Sequence, residues 1–109
     1  METKKTKEEA FQECPVAKTI ALFQGKWMTR VIYELGRGET LRFGELKSMI
    51  NGITNTMLTS TLKELEMVGV INRKQFNEIP PHVEYSLTEK GEAMSPIFEA
   101  MYNWGASYL

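Results

Sequence analysis

RFGELKSMINGITNTMLTSTLKELEMVG, residues 42–69, is the stretch from which the rest of the chain can be placed. Phe43, Leu46 and Ile50 fall on one side of a short helix, which predicts a helix from Phe43 to Met49. Asn51-Gly52 is a turn dipeptide, and Thr54 is a good N-cap for a second helix. Leu58, Leu62 and Leu65 then repeat at i, i+4 and i+7, predicting that helix from about Asn55 to Val68, closed by Gly69. At about 100° per residue, Thr56, Ser60 and Lys63 point away from that leucine stripe, with Thr59 on the shoulder. The pattern is two helices joined by a tight turn, the second with a buried apolar side and a small polar outer face.

Upstream, Val16, Ile20 and Phe23 have helical spacing over Pro15–Phe23, and proline suits a first helical turn. After Gly25, a second stripe through Trp27, Val31, Ile32 and Leu35 predicts a helix ending at Gly36 or Gly38. Thr40, Leu41 and Arg42 suit only a short strand. Downstream, Val70 to Phe76 and Val83 to Leu87 alternate as strands. The tip between them, Asn77 to His82, contains Pro80 and Pro81, which preclude regular pairing. Thr88 caps a last helix toward Leu109; Pro96 kinks it or restarts it with Ser95 as a new cap. The expected fold is mainly α with a small β-hairpin wing: a winged helix-turn-helix with extra N- and C-terminal helices. Residues 1–13, rich in Lys and Glu, read as a polar arm, and 14–109 as one domain including a C-terminal dimerisation helix.

Composition closes several routes. No run of about eighteen apolar residues exists, so no membrane partner is expected. The early lysines are not followed by an apolar stretch, and one cysteine cannot make an internal disulfide; both lead to an expected cytoplasmic location. Cys14 and His82 are the only Cys and His, too few for a zinc set, and no cofactor is expected. No nucleophile–base pair or Gly-rich phosphate loop appears, and Gly36-Arg37-Gly38 is only a turn, so the chain does not read as an enzyme. The net charge of −1 is unhelpful for a nucleic-acid partner. Between Lys26 and His82, however, eight Lys or Arg stand against six Glu, so the acidic surplus lies in the flanks.

A helix-turn-helix presents the N-terminal half of its second helix to the DNA major groove. Thr54, Asn55, Thr56, Thr59 and Ser60 carry short hydroxyl and amide groups suited to base edges or phosphates, and Lys47 and Lys63 suit phosphates. A polar solvated helix face would look the same. Arg42, Arg73 and Lys74 near the base of the hairpin, with Asn77 and His82 toward its tip, can follow the backbone or enter a minor groove. Glu78 opposes this, and His82 read alone is more commonly a plain surface histidine. On the last helix, Phe98, Met101, Tyr102, Trp104 and Tyr108 supply more aromatic area than one small core needs. With Val16 and Ile20 they are the candidate dimer surface; the alternative is that they cover Trp27 and the first helices. Seven methionines fit core filling or an adaptable pocket.

The stretches CPVAKTIALFQGKW (14–27), RFGELKSMINGITNTMLTSTLKELE (42–66) and EIPPHVEYSLTEKG (78–91) resemble the HxlR family of winged-helix regulators, within the broader MarR-like group. The resemblance runs from Cys14 to Trp104 and includes Cys14-Pro15, Gly25-Lys26-Trp27, Arg42-Phe43-Gly44-Glu45-Leu46, and Pro80-Pro81 leading to Val83-Glu84-Tyr85. It implies a bacterial homodimer that binds double-stranded, palindromic operator DNA and regulates transcription. It also implies a recognition segment at Thr54–Lys63, less basic here than in many relatives, and places His82 where relatives often carry arginine. In some family members the cysteine of the Cys-Pro pair senses oxidants or electrophiles, sometimes by bridging subunits. Cys14 also opens a helix, where the dipole favours negative charge. Cys14 therefore reads either as a redox sensor or as a half-buried spacer, and an oxidant or small molecule is a candidate effector. The rival to DNA binding is a winged-helix module for protein–protein contacts, which the near-neutral charge would suit.

Overall fold

The element order read outward from residues 42–69 reappears in the computed structural model, which describes residues 4–109. It runs α1 (Lys7–Glu13), α2 (Pro15–Phe23), α3 (Met28–Arg37), β1 (Thr40–Arg42), α4 (Phe43–Met49), α5 (Asn55–Met67), β2 (Ile71–Phe76), β3 (His82–Leu87), α6 (Glu89–Glu92) and α7 (Ser95–Tyr108). The three strands form one antiparallel sheet in the order β1-β3-β2. Val31, Ile32 and Leu35 from α3, Leu46 from α4, and Leu58, Leu62 and Leu65 from α5 close a core over Leu41, Ile71 and Tyr85 of the sheet. A helix stripe and a sheet face that are each apolar can only be hidden against one another, which fixes this arrangement.

Four boundaries differ from the sequence reading, each for a local reason. The polar arm is helical from Lys7: the Thr6 hydroxyl accepts from Glu9 N at 3.0 Å, and Gln12 Nε2 donates to Glu8 Oε1 at 2.9 Å. None of its residues is buried, and residues 1–3 of the arm lie outside the described residues. Val70 is not a strand residue, because Gly69 (φ 79°) and Val70 donate to Glu66 O and Leu65 O at 3.0 and 2.9 Å and close α5. His82 belongs to β3, paired with Phe76; the unpaired tip is Asn77 to Pro81. The last helix breaks in two, and the cap of α7 is Met94 rather than Ser95, with Pro96 in the first turn.

One buried charge sits on α3. Glu34 is 5% exposed, with Arg30 Nε at 3.4 Å and Arg37 Nη1 at 4.0 Å. Arg30 Nη2 also donates to Met49 O at 2.9 Å, which ties α3 to the end of α4. The chain is elongated. Its radius of gyration is 16.9 Å, against about 13 Å for a compact chain of this length. Among the described residues, no helix is long and apolar enough to cross a membrane.

Candidate nucleic-acid interface

The turn between α4 and α5 is built to aim α5 outward. Leu46, Ile50 and Ile53 are buried, Gly52 takes φ 86°, and the Thr54 hydroxyl accepts from Met57 N at 3.1 Å. With Leu58, Thr61, Leu62 and Leu65 buried, the opposite side of α5 faces solvent. Asn55, Thr56, Thr59, Ser60 and Lys63 line one shallow groove on that side. Thr54 is exposed at its head, and Lys47 is exposed in the last turn of α4.

The hairpin divides its basic residues between two faces, because side chains alternate along a strand. Arg73 pairs in register with the buried Tyr85 and so lies on the face turned toward α5. Arg73, Thr59 and Lys63 share a cleft between α5 and the hairpin, together with Leu62, Glu66 and Tyr85. Lys74 lies on the opposite face. It pairs across the ladder with Glu84, which pairs in turn with Arg42 of β1. Arg42, Glu84 and Lys74 thus form a row on the outer side of the sheet, away from the α5 cleft.

His82 is engaged within the hairpin. Its ring stacks on Phe76 with centroids 4.6 Å apart, and Nε2 donates to Glu84 Oε2 at 2.8 Å. Glu78 Oε2 stands 3.9 Å from Nδ1, and the side chain is only 15% exposed. Lys74 Nζ lies 5.0 Å from the Phe76 ring. Asn77 is exposed at the tip, where its Oδ1 meets Gln75 Nε2 at 3.5 Å. The structure therefore brings Asn55, Thr56, Thr59, Ser60, Lys63 and Arg73 together, and sets Arg42, Lys74 and His82 apart from them. Glu66 is the cleft residue the sequence reading missed. Its position three residues after Lys63 was the available signal.

The proposed dimer surface is also divided. Phe98 packs inward against Phe23 and Tyr33, with centroids at 5.9 and 6.2 Å. Val16, Ile20, Met101, Tyr102, Trp104 and Tyr108 are all exposed, and no residue of α7 is buried. One almost wholly apolar groove along α7 is lined by Pro96, Ile97, Ala100, Met101, Trp104 and Leu109. Cys14 is half-buried at the joint of α1 and α2. A cavity between α3, β3, α6 and α7 is lined by Ile32, Tyr33, Arg37, Leu87, Glu92 and Phe98, and no methionine borders it. Among the described residues, no His, Cys, Asp and Glu group could hold a metal ion.

Comparison with known proteins gives a consistent result. A family model described as HxlR-like helix-turn-helix matches residues 22–109. An uncharacterized HTH-type transcriptional regulator of Halalkalibacterium halodurans is 44% identical over 101 residues, covering 93% of this chain and 89% of its own. A MarR-family transcriptional regulator from Porphyromonas gingivalis superposes with a TM-score of 0.82 at 41% identity, covering 98% of this chain and 100% of its own. The redox regulator HypR in its oxidized form superposes with a TM-score of 0.77, also at 41% identity, covering 88% of this chain and 98% of its own.

Proposed function

Because the chain belongs to the HxlR-like helix-turn-helix family of transcriptional regulators, we propose that it works in the cytoplasm as a homodimer on a palindromic operator. Each α5 enters a major groove, and the two half-sites lie about 34 Å apart, one turn of the duplex. The observation that carries this reading is the cleft in which the outward face of α5 and the inner flank of the hairpin meet, with Lys63 and Arg73 in its wall. Arg42, Lys74 and Asn77 serve at most the flanking backbone, since they stand outside that cleft. The exposed apolar face of α7 supports the dimer, as does the elongated protomer from which it projects. Purified protein titrated against duplex DNA from upstream of its own gene tests this directly. Saturable binding of two protomers per site is expected; monomeric binding would remove the dimer, and no binding at low salt would favour a protein-contact module instead.

A second reading concerns Cys14, and it is supported by the likeness to a redox regulator and by the position of the thiol at a helix joint. Two Cys14 thiols, one per protomer, would lose two protons and two electrons to a peroxide and form one intersubunit disulfide. Wild type should then release DNA on peroxide treatment and regain it with a dithiol reductant. A Cys14→Ser variant that responds as wild type does would make Cys14 a spacer.

A further inference from the structure

The α5 face has a restricted chemistry. No charged side chain occurs between Lys47 and Lys63, and glutamine is absent from the same segment. Its first two turns expose Asn55, Thr56, Thr59 and Ser60 along one surface groove, with Met57 44% exposed on the flank. Guanine presents two acceptors to the major groove and is read by the paired donors of Arg or by Lys; cytosine presents a donor and is read by a carboxylate. No Arg, Lys or carboxylate is available in those two turns, and the Thr and Ser hydroxyls, which meet either kind of edge, make no choice of their own. Adenine presents an acceptor and a donor side by side, which match the amide of asparagine, and thymine presents a methyl group, which matches an apolar contact.

We infer that the base pairs under the first two turns of α5 are A·T pairs, with the Asn55 amide on an adenine edge and the Thr56 and Thr59 methyl groups on thymine methyls. This rests on operator binding through α5. Lys63, a turn further on, and Arg73, across the cleft, are left to phosphates. Discrimination here is a matter of shape and of one bidentate contact. Thymine should therefore be told from uracil, and adenine from its 7-deaza analogue.

The test is selection of a duplex from a random library by the full-length protein, followed by single-base analogue scanning of the selected site. Replacing a contacted thymine by uracil should weaken binding about fourfold, the worth of one buried methyl. That loss should vanish in the variant carrying both Thr56→Ser and Thr59→Ser, which keeps the hydroxyls. Replacing the contacted adenine by 7-deazaadenine should cost roughly 5- to 150-fold, and nothing in Asn55→Ala. A selected half-site in which 7-deazaguanine costs affinity and uracil does not would overturn the inference and leave operator binding standing. No enrichment and no binding would remove the operator reading and the inference with it.

Discussion

Gly91→Ala is the substitution whose effect the structure specifies most sharply. A Cβ at residue 91 would lie 2.3 Å from Val70 O, with Leu87 Cδ2 at 3.1 Å and Leu87 Cβ at 3.2 Å. A carbon–oxygen contact relaxes at about 3.3 Å, so one partner must move by about 1 Å. Val70 O is poorly placed to yield. It accepts from Thr88 N at 3.0 Å and from Thr88 Oγ1 at 3.1 Å, and Val70 itself is wholly buried. The same Thr88 hydroxyl donates to Gly69 O at 2.6 Å and accepts from Gly91 N at 3.1 Å. Overpacking costs about 1–3 kcal/mol, and one displaced hydrogen bond about 1 kcal/mol more. The better helix propensity of alanine returns about 1 kcal/mol, leaving a net loss of roughly 1–3 kcal/mol. For a domain of this size that lowers the melting temperature by roughly 4–12 °C. Thermal unfolding followed by circular dichroism at matched protein concentration reads it, since the proposed dimerisation would make the midpoint concentration-dependent. Gly44→Ala is the control, because nothing lies within 4 Å of its added Cβ; it should hold or raise stability. A Gly91→Ala protein melting within about 2 °C of wild type would refute the packing argument.

Three further outcomes are expected. Thr54→Ala removes the acceptor for Met57 N and should cost about 1 kcal/mol, read from the urea midpoint at unchanged slope. Met101→Glu with Trp104→Glu places charge on the apolar face of α7; sedimentation should show monomers that bind a full operator far more weakly, and a persistent dimer would move the interface elsewhere. Glu66→Gln removes a carboxylate from the cleft that holds Lys63 and Arg73. Operator affinity should rise roughly two- to threefold at low salt, and unchanged affinity would place the DNA away from that cleft.

Residues 42–69 were legible because every local signal in them agrees. The leucine period, the Thr54 cap and the Gly69 closure all place α5 in the same register, and tertiary packing had nothing to override. The hairpin was legible as an element but not as a surface. Arg73 and Lys74 are neighbours in sequence, yet strand alternation puts one toward α5 and the other beside Glu84. His82 could not be placed from sequence, since its partners Phe76 and Glu84 are fixed only once the hairpin register is known. Glu34 was hidden for a similar reason: an acidic residue inside an apolar stripe reads as a surface position until Arg30 and Arg37 are seen to flank it. On α7, the aromatic content read as more than one small core needs. Only the fold shows that Phe98 packs inward while Trp104 and Tyr108, 5.4 Å apart, remain outside.

DNA binding in the cleft between α5 and the hairpin requires that Lys63 and Arg73 meet phosphates. Operator affinity measured across a series of salt concentrations, for wild type and for Lys63→Ala and Arg73→Ala, decides it. Each variant gives up one phosphate contact per protomer, so the slope of log affinity against log salt should become shallower by about 1.8 per dimer. Wild-type slopes in both variants, with affinity unchanged, would contradict the placement of DNA in that cleft.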